Sequence, residues 1–213
     1  MSAVAKTVAL CATFITIVVV MFVYSTLRTP QLSDEELRAR GVFILPRPRD
    51  LAPFELTDQQ GQPFDNADLQ GKWSFIFFGF THCPDICPTS MSVLGQVERE
   101  LLESGGQDPD QPFQGILISV DPERDTLDKL GPYAEAFSPR FIGATGSREA
   151  LVELTTQVNV AFAKVPDGDG GYTIDHSGQL VLINPRGHFH GFIKLPHQKE
   201  TIRLAYQSLA ARF

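Results

Sequence analysis

The chain has 213 residues, with 18 Lys and Arg against 25 Asp and Glu, a formal net charge of −7. At 43% hydrophobic and 20% charged, with 16 Phe, it carries enough apolar residues for one ordinary domain, which excludes a disordered chain and a polytopic membrane protein. All 25 acidic residues and 16 of the 18 basic ones lie after Pro30, leaving that part at −9 and without the basic excess of a nucleic-acid binder.

Thr7 to Leu27 contains no charged residue, and as a helix it reaches about 31 Å, enough to span a bilayer. A cleaved signal peptide and a buried core helix are the alternatives. No small-x-small cleavage site follows Tyr24, however, and Val18-Val19-Val20 is apolar all round, so residues 1–28 are expected to be an uncleaved membrane anchor. Cys11 reads as an anchor residue, since Leu10 is a poor neighbour for lipidation. Only Lys6 is basic before Arg28, unlike a mitochondrial transit peptide, so a bacterial inner membrane fits better. Arg28, Arg38 and Arg40 outnumber Lys6 and the amino terminus, a count that does not support export and has little force for a long domain.

Residues 29–50 read as a tether, with Pro46 and Pro48 and a short helix capped by Ser33; the domain is expected over 51–213. Trp73 to Phe80 is a continuous apolar run, the pattern of a central strand buried on both faces. Met91, Leu94, Val97 and Leu101 then recur at helical spacing up to the breaker Ser104-Gly105-Gly106. Phe113 to Val120 predicts a second buried strand, and Leu127, Leu130, Ala134 and Phe137 a second helix. A short strand over Arg140 to Ala144 precedes a helix capped by Ser147, and Val160 to Val165 reads as extended before a turn-rich loop from Pro166 to Gly171. Gln179 to Asn184 and His188 to Ile193 form a hairpin, and a helix runs from Lys199 to Arg212. This order predicts an α/β fold, a mixed sheet flanked by helices as in thioredoxin-like folds.

The chemistry lies in Thr81-His82-Cys83-Pro84-Asp85-Ile86-Cys87-Pro88, at the carboxyl end of the central strand and the start of a helix. On a helical turn, residues four apart bring their Cβ atoms to about 5–6 Å, so Cys83 and Cys87 face one point. The helix amino terminus favours the thiolate, which is both metal ligand and nucleophile. A plain disulfide or two small core residues is the simpler reading of the pair. Two thiolates call for a neutral imidazole to hold a soft metal, and His176 is the preferred third ligand because its loop is placed to meet the first strand-helix turn. His82 adjoins Cys83 but is free to point away; His188 and His190 share a strand face and could make a weak surface site; His197 is read as structural. Two Cys and one His with an exposed position suit Cu(I) better than structural Zn, although Zn could recruit Asp85 or Asp121. Asp121 to Asp125 is read as a loop capping the next helix.

Together, Gly71-Lys72-Trp73, Phe78 to Pro88, Ile118 to Thr126, Phe137-Ser138-Pro139 and Asp175-His176-Ser177 resemble the Sco/SenC family, in order and across about Leu51 to Phe213. The resemblance implies a membrane-tethered, thioredoxin-like domain facing the periplasm or the mitochondrial intermembrane space. It implies copper, as Cu(I) or Cu(II), on Cys83, Cys87 and His176, and assembly of the binuclear copper site of cytochrome c oxidase subunit II. The expected protein is therefore a single-pass copper metallochaperone of the bacterial inner membrane, with an upstream copper donor and Asp175 or Asp121 supporting the ligands. Cys-x-x-x-Cys is longer than the redox spacing Cys-x-x-Cys and is paired with a His, which favours metal binding. Two rivals use the same thiols: a thiol-disulfide oxidoreductase that reduces the acceptor's cysteines, and a redox or copper sensor.

Overall fold

The computed structural model describes residues 2–27, 31–168 and 170–213. The expected anchor boundary at residue 28, the flanking charge of Arg28, the start of the tether and Asp169 of the turn-rich loop lie outside these residues. The chain divides into two compact units, Met1–Gln31 and Leu32–Phe213.

The first unit is helix α1, Ala3–Leu27, of which Ala3–Phe22 is long and apolar enough to cross a membrane. Two of its hydroxyls are satisfied within the helix: those of Thr13 and Thr16 donate to the carbonyls of Ala9 and Ala12, each at 2.9 Å. Such bonds within the helix let hydroxyl groups sit on an apolar face without an unmet donor.

In the second unit the segment read as a tether is built into the domain. Helix α2, Asp34–Ala39, starts at a capping box in which Ser33 and Glu36 each bond the other's backbone. Strand β1, Val42–Arg49, follows and pairs antiparallel with the last strand of the large sheet. Leu37 and Val42 are fully buried and anchor the segment in the core. The prolines that suggested a linker are compatible with this strand because it lies at the sheet edge, where a missing N–H breaks no ladder.

Strands β2, Glu55–Asp58, and β3, Pro63–Asp65, make a small hairpin at the opposite edge. The predicted central strand is β4, Trp73–Gly79, buried at every position. It leads into α3, Ile86–Glu103; then come β5, Phe113–Ser119, and α4, Leu127–Glu135. After β6, Ile142–Thr145, helix α5, Arg148–Gln157, starts where Ser147 accepts from the Ala150 N–H. β7, Phe162–Pro166, and β8, Tyr172–His176, pair as a separate two-stranded ribbon. The expected hairpin is β9, Leu180–Ile183, with β10, Phe189–Ile193, and α6, Lys199–Ala210, closes the chain.

The large sheet runs β1-β10-β9-β4-β5-β6-β2-β3. β4 pairs parallel with β5 and antiparallel with β9, so the central strand has a neighbour on each side, which is why its sequence is apolar without alternation. A parallel strand-helix-strand core joined to an antiparallel hairpin and a final helix is the thioredoxin-like arrangement predicted. Its consequence for function is positional: the loops after β4 and β5 emerge side by side at one sheet end.

Candidate metal centre

The loop after β4 carries the first thiol and helix α3 the second. The Cys83 N–H donates to the Phe80 carbonyl at 3.3 Å, turning the chain, and the Cys87 N–H donates to the Cys83 sulfur at 3.4 Å. Cys83 sulfur thus occupies the amino end of α3, where free N–H groups and the helix dipole favour negative charge. Gly79 makes room for the second sulfur: a Cβ there would lie 2.9 Å from Cys87 Sγ and 2.9 Å from the Phe77 ring.

The ribbon brings in the imidazole. His176 Nε2 lies 3.6 Å from Cys87 Sγ, and its Nδ1 lies 3.2 Å from the Ser177 carbonyl oxygen. A carbonyl only accepts, so in the tautomer with its proton on Nδ1 this contact is a hydrogen bond and the Nε2 lone pair is free for a metal. Phe77 and Phe80 meet the ring edge to face, with centroids 5.7 and 5.9 Å away. The ligand atoms of Cys83, Cys87 and His176 all lie within 4.8 Å of one another, and among the described residues this is the one such group of three or more.

The two sulfurs divide one negative charge unequally. Cys83 is drawn down to about 4, chiefly by the hydrogen bond from the Cys87 thiol, with His176 and backbone N–H groups adding and burial opposing. Cys87, fully buried, is pushed up by the same bond and by burial. The opposite shifts favour a thiolate on Cys83 beside a thiol on Cys87, a soft donor and a nucleophile together.

A buried carboxylate that sequence reading passed over organises the turn. Asp125 accepts from the Thr81 N–H at 2.8 Å, the Thr81 hydroxyl at 2.6 Å and the Ser119 hydroxyl at 2.6 Å. It is fully buried and, contrary to the reading of 121–125 as a helix cap, ties the end of β5 to the residues before Cys83. The available signal was position alone, since the loop after β5 had to emerge beside the loop after β4. Asp121 bonds Tyr172 and Arg124, and neither it nor Asp85 joins the donor group. Asp175 is exposed and lines a surface recess of about 290 Å³ with His176. A larger hollow of about 890 Å³, bordered by Phe54, Asn66 and Glu153, contains no Cys or His.

The other histidines have separate partners. His82 turns Nδ1 to Thr81 Oγ1 at 3.1 Å and to Asp125 at 3.4 Å, away from the thiol pair. The weak surface site that His188 and His190 could have made does not form, because the two rings take different partners. His188 faces Asp50 at 3.2 Å, whereas His190 packs on the edge of Trp73 and is drawn down to about 4, mainly by burial. His197 is buried against Ser90, 2.8 Å from its hydroxyl, as a structural residue.

Two thiols and an imidazole converging at the first strand-helix turn of a thioredoxin-like domain form a donor set of the kind that suits soft metal ions or thiol-disulfide exchange. The chain belongs to the SCO1/SenC family, whose model matches residues 46–211. It is 40% identical over 151 residues to a mouse (Mus musculus) relative named "Protein SCO2 homolog, mitochondrial", a match covering 70% of this chain and 58% of the relative. Arabidopsis thaliana ScoI, solved with copper bound, superposes with a TM-score of 0.70 at 33% identity, covering 76% of this chain and 98% of that one. BsSco, described as a member of the Sco family of cytochrome c oxidase assembly proteins, shares the fold with a TM-score of 0.61 at 21% identity, covering 80% and 99%.

Proposed function

We propose that the chain is a membrane-anchored copper metallochaperone that carries copper on Cys83, Cys87 and His176 and serves assembly of the binuclear copper site of cytochrome c oxidase subunit II. The observation that carries this reading is the convergence of the three donors around one point. With metal-sulfur bonds of about 2.3 Å, the corners of a trigonal site lie roughly 4 Å apart, and three ligand atoms within 4.8 Å match that without backbone movement. Two sulfurs and one imidazole suit a soft ion, and an environment that favours the Cys83 thiolate lowers the proton cost of binding it. The copper-bound Arabidopsis relative supports the cargo, and the family description attached to BsSco supports the destination.

The apolar span of α1 supports a single-pass inner-membrane anchor, with the Leu32–Phe213 unit facing the periplasm. An upstream donor supplies copper, and transfer to the acceptor proceeds by ligand exchange at sulfur. A disulfide between Cys83 and Cys87 would remove both sulfur ligands and block loading.

Anaerobic Cu(I) titration of the reduced full chain in detergent tests the reading. One tight equivalent is expected, lost in the Cys83→Ser/Cys87→Ser double variant and weakened in His176→Ala; no tight copper in the reduced wild type refutes it. The unequal sharing of charge between the sulfurs favours a second reading, a thiol-disulfide oxidoreductase with Cys83 attacking and Cys87 resolving. That activity would survive His176→Ala and be abolished by Cys83→Ser.

A further inference from the structure

The β7–β8 ribbon that presents His176 is a sheet of its own, outside the eight-stranded ladder. Its placement over the thiols therefore rests on contacts other than strand pairing. The most concentrated of these come from the loop after β5. Arg124 Nη1 donates to the Tyr172 carbonyl, at the start of β8, at 2.8 Å. Its guanidinium lies 3.9 Å from the Tyr172 ring centre and 5.7 Å from that of Phe80, the ring that meets His176. The Tyr172 hydroxyl donates to Asp121 Oδ1 at 2.9 Å, while Asp121 Oδ2 accepts from Arg124 Nε. On the ribbon side, Lys164 Nζ lies 3.7 Å from the centre of the Tyr172 ring and pairs with Glu123 at 2.6 Å.

Asp125, four residues after Asp121, grips Thr81 and so the turn that carries Cys83. One five-residue loop therefore holds both halves of the donor set, the sulfur turn through Asp125 and the imidazole ribbon through Asp121 and Arg124. From this juxtaposition we infer that Asp121 and Arg124, closing on Tyr172, are positioning residues that set the separation between His176 and the two sulfurs. Arg suits the task because its planar fork bonds a carboxylate and a carbonyl while its face stacks on an aromatic ring; Lys at this place would lose the stacking and the fork. The inference rests on the proposed role of His176 as a copper ligand.

The test compares Arg124→Gln, Tyr172→Phe and His176→Ala in the full chain, using copper itself as probe. Arg124→Gln is expected to weaken Cu(I) binding roughly 10- to 100-fold, the usual effect of removing a group that orients a ligand. It is also expected to reduce the nitrogen coupling in the electron paramagnetic resonance spectrum of the Cu(II) form, a change that general destabilisation would not produce. Tyr172→Phe keeps the ring and loses only the Asp121 bond, so it provides the same test should Arg124→Gln fail to fold. It is expected to weaken binding several-fold and to speed amide exchange within Phe162–Pro166 and Tyr172–His176 more than within β4 or β5. A folded Arg124→Gln protein with wild-type affinity and nitrogen coupling overturns the inference, as does a Tyr172→Phe protein unchanged in both affinity and exchange. His176→Ala separates the two layers: if it weakens copper binding while the latch variants do not, only the positioning role falls. If it leaves copper binding untouched, the ligand assignment falls and the positioning role falls with it.

Discussion

Replacing Asp125 with Ala removes an acceptor on which three donors converge, two from Thr81 and one from Ser119. Hydrogen bonds to a charged group contribute about 1.5–3 kcal/mol each, and a buried donor left without a partner costs about 1–3 kcal/mol. The donors share one site and water can reach half-buried Thr81, so the losses do not add fully; about 3–5 kcal/mol is the expected total, in line with breaking a buried charged network. Each kcal/mol shifts the melting temperature of a domain this size by about 2–4 °C, giving a drop of roughly 6–20 °C. Asp125→Asn keeps the shape and one carbonyl acceptor but turns an amide N–H₂ toward a donor, so it should fall between wild type and Ala. Thermal unfolding of the reduced, metal-free chain, followed by circular dichroism, reads all three proteins. An Asp125→Ala protein melting within about 2 °C of wild type would falsify the claim that this carboxylate ties β5 to the Cys83 turn.

Gly79→Ala should destabilise by about 1–3 kcal/mol through overpacking and displace Cys87, visible as a lower unfolding midpoint together with weaker copper binding; unchanged values in both would show that the sulfur has room to spare. The ultraviolet absorbance of the metal-free protein should show one thiolate at pH 7 that protonates as the pH falls through about 4, and a thiolate appearing only near the ordinary thiol value of 9.0 would contradict the shared-proton arrangement. Because the Cys83 pKa is lowered on folding, its contribution to stability is complete above 9.0 and is lost as the pH falls to about 4, with Cys87→Ala shrinking that dependence. Leu37→Ala should cost about 2–5 kcal/mol if the segment before β1 belongs to the core, measured by urea unfolding; a negligible change would return that segment to the status of a linker.

The parts of this fold that were legible in the sequence are those encoded over short distances. Trp73 to Phe80 reads as a doubly covered strand because apolar residues run through it without polar alternation, and Ser147 announces its helix through a local cap. The cysteine turn is legible because spacing, proline placement and strand-helix position fall within eight residues. What escaped was non-local. Asp125 meets Thr81 across 44 residues, and nothing in Asp-Pro-Glu-Arg-Asp distinguishes a helix cap from a brace until the parallel pairing of β4 and β5 is known. The pairing of β7 with β8 across the Pro166 to Gly171 turn is hidden by its exposed, weakly alternating residues. The early segment misleads for a different reason: its proline density outweighs two apolar residues, Leu37 and Val42, whose burial decides its fate.

Strand β1 closes one side of an eight-stranded sheet with Pro46-Arg47-Pro48-Arg49, whose last residues are exposed, and its register shifts between Ile44 and Arg49. Such an edge offers few free N–H donors to an approaching strand and meets it with guanidinium charge along an irregular line. Under the proposed membrane anchoring this matters more than in free diffusion. Confinement to two dimensions multiplies encounters between neighbouring copies, and a flat, regular border would invite strand-to-strand growth across the membrane surface. The same prolines that look like slack in the chain thus work against strand-to-strand association at this border.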